Sequence, residues 1–326
     1  MKKVLFFNHM INHRGGTNAI LDYAHFNQTI LGNESSIIYN SYNKDNNPDM
    51  ASDENLVKSI AKTYNIISYN AGPYDDFSRI NDIASNYDLF YAYTAGKPEN
   101  PQLSIKSTKV ANHVVFQNNS KFGDYYAYIS EWLSLHCSGG THSFIPHIVT
   151  QPSPNKDLRK ELGIPKDKFV FGRHGGYSTF DNPFVRKAVI NISTTRSDIV
   201  FLLVNTEKFY DHPNIIHLPA FFGDQEKSNF INACDAMIHG RLLGESFGLA
   251  ICDFLFWNKP VLAWEGGYDQ NHTLLLQKYG LLYDERNIIP KMLDLKNYAK
   301  GKDFKQIVDP FTPEKVMAKF DEVFLK

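Results

Sequence analysis

Short apolar runs, each closed by a polar or glycine-containing turn, alternate along the chain with segments whose apolar residues return every three or four positions. In the first half the runs predict strands over 3–8, 36–40, 65–69, 88–93, 110–116 and 127–130, with an amphipathic helix over 17–31. The second half repeats the theme. Runs at 169–172, 199–204, 215–218, 236–238 and 260–263 suit central parallel strands, and helices are expected over 184–194, 225–234, 249–257 and 272–279. Near the end, Thr312-Pro313 offers a cap and a first-turn proline, and Val316, Met317, Phe320, Val323 and Phe324 form one apolar stripe.

Such alternation favours mostly parallel sheets with helices on both faces. With 326 residues the chain suits two domains rather than one. The proline-bearing stretch 146–155 reads as the link between them. The expected division is 1–148, 156–308 and a terminal helical segment, 309–326. Two open α/β sheets facing each other would take a ligand in the interdomain cleft, outside the carboxyl ends of their strands.

Composition narrows the function. A hydrophobic share of 43%, a charged share of 21% and a net charge of −1 describe an ordinary globular protein and give nucleic acid no basic surface. No apolar run reaches membrane-spanning length, and the first residues are too polar for a secretory signal, so a cytoplasmic setting with at most peripheral membrane association is expected. Three scattered cysteines, Cys137, Cys234 and Cys252, fit a reducing compartment. His136, Cys137, His142 and His147 match no compact zinc spacing.

The densest signal is GESFGLAICDFLFWNKPVLAW, 244–264, which sets Glu245 and Asp253 eight positions apart around a glycine turn and an oily helix. A buried Asp there needs a partner. A loop carboxylate, a helix N-terminus and a second carboxylate suit a charged, hydroxyl-rich ligand. Gly15-Gly16, between the first strand and its helix, lets a backbone approach an anion closely. It lacks the three glycines of a dinucleotide fingerprint, which argues against NAD. Arg173 closes the strand Phe169-Val170-Phe171-Gly172-Arg173, where a permanent cation can meet an anionic leaving group.

The 244–264 segment resembles the E-x7-E region of retaining GT-B-fold glycosyltransferases of the family 4 type, with Asp253 in place of the second glutamate and Asn258-Lys259-Pro260-Val261 in place of the usual glycine turn. The resemblance implies an α/β GT-B fold, two Rossmann-like doubly wound domains facing an interdomain cleft, with the C-terminal helix crossing back to the first domain. It implies transfer of a hexosyl or pentosyl group, with retention, from a nucleotide-diphosphate-sugar donor to a hydroxyl of a carbohydrate, lipid-linked or glycoprotein acceptor. No metal and no cofactor are expected, and no Asp-x-Asp pair stands at a suitable strand end.

By the same resemblance, Glu245 holds donor-sugar hydroxyls and Asp253 the ribose hydroxyls. Ser246 belongs to the donor site, and main-chain N–H groups of Phe247, Gly248 and Leu249 meet the sugar and phosphates. Gly15 and Gly16 meet the donor phosphate, Arg173 the diphosphate, and His113 the sugar near its reacting carbon. Phe222, in the loop 218–224, belongs to the base-binding wall. The family's lysine after Gly-Arg is missing from His174-Gly175-Gly176-Tyr177, and Arg241 is the candidate substitute. Two alternatives share the fold: a non-hydrolysing nucleotide-sugar epimerase and a non-catalytic nucleotide-sugar-binding relative.

Overall fold

The computed structural model describes residues 1–12, 15–42, 51–72, 75–221 and 223–326. The chain divides into two compact units, Met1–Ile148 together with Pro313–Lys326, and Val149–Thr312. Unit 1 runs β1 (Lys3–Asn8), α1 (Gly15–Thr29), β2 (Glu34–Asn40), α2 (Glu54–Ile60), β3 (Asn65–Tyr69), α3 (Ser78–Ala84), β4 (Leu89–Thr94), β5 (Lys109–Val114), β6 (Tyr125–Tyr128) and α4 (Glu131–Ser138). Unit 2 runs α5 (Leu158–Glu161), β7 (Phe169–Arg173), α6 (Pro183–Thr195), β8 (Ile199–Val204), β9 (Ile215–Leu218), α7 (Asp224–Ala233), β10 (Ala236–Ile238), β11 (Gly244–Glu245), α8 (Leu249–Phe256), β12 (Val261–Trp264), β13 (Asp269–Gln270), α9 (Asn271–Leu276), β14 (Leu282–Tyr283) and α10 (Ile288–Tyr298). The last helix, α11 (Pro313–Phe320), and the π turn Asp321–Leu325 return to unit 1.

Unit 1 carries a sheet ordered β3-β2-β1-β4-β5-β6. That of unit 2, read from its far edge, is β9-β8-β7-β10-β12-β14. Among the described residues every pairing in both sheets is parallel. Each unit is therefore doubly wound, with the reversal of strand order between β1 and β4 in the first and between β7 and β10 in the second. Helices on both faces explain why these strands are runs of apolar residues rather than alternations: all of β8, IVFLLV, is buried.

Several strand ends differ from expectation for local reasons. Ser130 leaves the strand expected over 127–130 to cap α4, its Oγ accepting from the Leu133 amide at 3.2 Å. β5 stops at Val114, and Phe116 is exposed. The two-residue strands β11, β13 and β14 are too short to leave a periodic trace.

The α11 stripe behaves as amphipathic spacing demands, burying Val316, Met317 and Phe320 while Lys315 and Lys319 stay outside the core. Phe320 stacks on Tyr23 with ring centres 5.5 Å apart and meets Tyr91 at 5.5 Å and Phe324 at 5.3 Å. The segment thus completes the core of unit 1 through residues more than two hundred positions away from their partners. Phe320→Ala should cost about 3–5 kcal/mol. Urea denaturation measures this, and a loss under about 1 kcal/mol would show that α11 is not integral to that core.

Candidate functional site

In an open parallel sheet, ligands gather outside the carboxyl ends of the strands where the order reverses. In unit 2 that point lies between β7, which ends in Gly172-Arg173, and β10, followed by His239-Gly240-Arg241. The two loops are tied together: Asn182 N donates to Gly240 O at 3.0 Å and Leu242 N to Asp181 Oδ1 at 2.8 Å. Beyond them β11 pairs with β13, Gly244 opposite Asp269 and Glu245 opposite Gln270. Gly244 is required there, because its φ is +76° and a Cβ would stand 1.9 Å from Asp269 O.

Glu245 is the best-placed acid. Its Oε1 lies 3.2 Å from His239 Nε2 and its Oε2 accepts from Arg241 Nη1 at 3.0 Å, while its main-chain N donates to His272 Nδ1 at 3.3 Å. Burial alone would raise its carboxyl; the His239 hydrogen bond, with Arg241 and His272, outweighs that and holds it below the ordinary 4.5. A carboxylate accepts about four hydrogen bonds, and these two donors leave capacity for hydroxyls. The side chain is 19% exposed. α8 starts close by, after Gly248 at φ +95°, and no side chain caps it. Ser246 and Leu249 are half-buried beside that start, whereas Phe247 is a core residue, its ring 5.2 Å from Phe311 and its carbonyl held by Asn271.

Asp253 lies on the buried side of α8. Its Oδ1 accepts from Gln151 Nε2 at 2.7 Å and sits 3.3 Å from Lys227 Nζ, and Oδ2 is 3.7 Å from His174 Nε2. Burial raises this carboxyl against the pull of Lys227 and Gln151. With its side chain 5% exposed, Asp253 is bound into the fold, and a ribose contact would have to displace these partners. Gln151 is the hub of the cluster, its Oε1 accepting from Ser228 and from the Trp257 indole.

Arg173 is turned to structural use as well. Nη1 reaches Val204 O, Asn205 O and Thr206 Oγ1, at 2.7 Å for the last, and Nη2 reaches Gly176 O at 2.8 Å and Thr179 Oγ1 at 2.6 Å. Only 3% exposed, it ties the ends of β7 and β8 to the following loop, and burial lowers its pKa to about 10. Arg241, 29% exposed, is the cation that stands open beside Glu245.

In unit 1 the expected donor contact, His113, is fully buried in the aromatic core. Its Nδ1 bonds Tyr91 OH at 2.7 Å and its Nε2 bonds Ile145 O at 2.8 Å, so a ligand could reach the ring only by breaking both. Gly15 opens α1 with free space where a Cβ would be, and Gly16 lies against Tyr93. Phe222 falls outside the described residues; its neighbour Phe221 packs 5.9 Å from the His174 ring.

Sequence reasoning missed His239, Lys227 and Gln151, and noted His272 without a role. His239 carried one readable signal: it closes the short apolar run 236–238, six positions before Glu245. Lys227 and Gln151 meet Asp253 only through the fold. Among the described residues no group of His, Cys, Asp and Glu converges as a metal set, and no helix is long and apolar enough to cross a membrane.

No family model matches the sequence, and no curated protein matches it significantly. Solved structures do. HepE from Anabaena, in complex with UDP-glucose, superimposes with a TM-score of 0.73 at 15% identity, covering 99% of both chains. A glycosyltransferase from Rickettsia africae gives 0.72 at 14% identity, covering 99% of this chain and 97% of that one. Sucrose-phosphate synthase from Thermosynechococcus elongatus gives 0.67 at 14% identity, covering 99% and 98%. The fold is the α/β GT-B class, each unit a six-stranded parallel Rossmann-like sheet.

Two outcomes follow from the buried polar groups. Burial pushes His113 and His272 down to about 4 and His147 and His174 down to about 3, against 6.5 when unfolded. The native state therefore refuses protons that the unfolded chain accepts, and stability should fall as pH drops from about 6.5 towards 4. The slope reaches about 1.4 kcal/mol per pH unit for each histidine. Glu245 adds to the loss at lower pH, and Asp253, shifted the other way, opposes it. Urea midpoints at pH 7, 6 and 5 test this; a flat profile contradicts it. Separately, Arg173→Lys keeps the charge but not the planar fork, and should cost about 2 kcal/mol, read as a lowered Tm.

Proposed function

We propose that the protein is a retaining glycosyltransferase that moves a sugar from a nucleotide-diphosphate donor to an acceptor hydroxyl. The observation that carries the reading is the Glu245 carboxylate. It is held ionised, partly exposed and with acceptor capacity to spare, at the strand-order reversal of unit 2 beside the uncapped start of α8. Likeness in fold to a protein solved with UDP-glucose supports the choice of donor class.

In this reading the hydroxyls of the donor sugar hydrogen-bond to Glu245. The bond from the anomeric carbon to the diphosphate oxygen breaks, and its electron pair leaves with the diphosphate. The acceptor oxygen attacks from the same face and passes its proton to the departing phosphate. The main-chain N–H groups at the start of α8 and the dipole of that helix stabilise the leaving anion. Because Arg173 is spent on carbonyls, Arg241 becomes the side-chain cation for the diphosphate, released from Glu245 as it turns. Asp253 serves the site indirectly, by fixing α8 through Gln151 and Lys227. No step is assigned to a metal. Acceptors on a glycan, a lipid or a glycoprotein all fit this chemistry.

Nucleotide release from UDP-glucose and a panel of other nucleotide sugars, with candidate acceptors, tests the proposal. Glu245→Ala should lower transfer at least about tenfold, the equivalent of about 1.4 kcal/mol of transition-state stabilisation. An unchanged rate in the folded variant removes Glu245 from the mechanism. Donor converted to an epimer without acceptor, or donors bound without any release, would replace transfer by epimerisation or by binding alone.

A further inference from the structure

We infer that His239 is the positioning residue of this site, holding the Glu245 carboxylate in place from behind while the ligand takes its remaining acceptor positions. The ligand in this statement rests on the nucleotide-sugar reading above; the hydrogen bond does not.

The ring of His239 has a rigid origin. The residue follows β10 directly, its N donates to Leu262 O at 2.9 Å, and its carbonyl accepts from Tyr283 OH. It is 4% exposed. A carboxylate only accepts, so the Nε2 that faces Glu245 Oε1 must carry the proton. Its Nδ1 is buried with no hydrogen-bond partner among the described residues. A buried polar atom without a partner is a cost that an apolar side chain of similar volume would avoid. What Nε2 does for Glu245 explains why an imidazole stands there.

The second histidine completes the grip. His272 Nε2 donates to Trp264 O at 2.8 Å, which leaves its Nδ1 to accept from the Glu245 main-chain N. The two rings lie 5.2 Å apart. Glu245 is thereby held at its backbone by His272 and the β11–β13 pairing, and at its carboxylate by His239. Arg241 cannot do the same work, because it is long, more exposed and free to follow an anionic ligand. When it leaves, His239 is the donor that stays.

Two measurements on the ligand-free protein test the inference. Long-range nitrogen–proton spectra of the wild type should show His239 protonated at Nε2; a bare Nε2 overturns the proposal. Carboxyl-carbon titration should place Glu245 below 4.5 in the wild type. In His239→Ala the titration should move upward although Arg241 and His272 remain, while His239→Gln, which can donate from its amide, should keep it low. An unmoved titration in folded His239→Ala overturns the proposal. With UDP-glucose as probe, His239→Ala should raise KM about tenfold and His239→Gln should restore most of it. A shifted titration in a protein that neither binds nor turns over any nucleotide sugar would keep the positioning role and remove the donor reading.

Discussion

Parallel strands buried on both faces constrain everything else in this molecule. A strand such as IVFLLV cannot offer a polar side chain along its length without leaving it unsatisfied in the core. Chemistry is confined to the strand ends and the loops that follow. Because all pairings run one way, the carboxyl ends of each sheet collect on one edge, and the reversal of strand order opens a gap between two neighbouring loops there. In unit 2 that gap brings Arg173, His239, Arg241 and Glu245 together from positions up to 72 residues apart.

At this edge the polar groups divide by where their partners come from. Arg173 finds five acceptors in its own neighbourhood and becomes a tie between β7, β8 and the next loop. Asp253 meets Gln151 and Lys227 and becomes a tie between α8, α7 and the segment entering the unit. Glu245 keeps part of its capacity, because its two side-chain donors, both from one short loop, fill only one acceptor position on each oxygen. Burial with every hydrogen bond satisfied marks a structural group; partial burial with acceptor capacity left over marks a candidate site.

Much of the fold was legible in the chain. Short apolar runs with glycine or proline punctuation located the longer strands, and the 312–324 stripe located the last helix, because burial on a fixed period leaves a trace in any window. That an acid inside the oily helix 249–257 is buried and partnered was legible too. The identity of that acid's partners was not. Glu245 reads as a loop acid and Asp253 as a buried helix acid, but Gln151 and Lys227, which hold Asp253, arrive from other elements. For His113 the family resemblance implied a donor contact, and in the structure Tyr91 and Ile145 hold its ring within the core.

The sequence by itself determined the α/β class, the repeated doubly wound pattern, the amphipathic last helix and the buried acid inside the oily helix 249–257. These follow from local periodicity and from the residue types a turn or a helix start will tolerate. Only the tertiary structure decided which charged groups are spent inside the protein and which remain for a ligand. Hydrogen-bond satisfaction is a property of atoms brought close in space, and a donor such as His239 Nε2 acquires its meaning only when folding places a carboxylate 3.2 Å away.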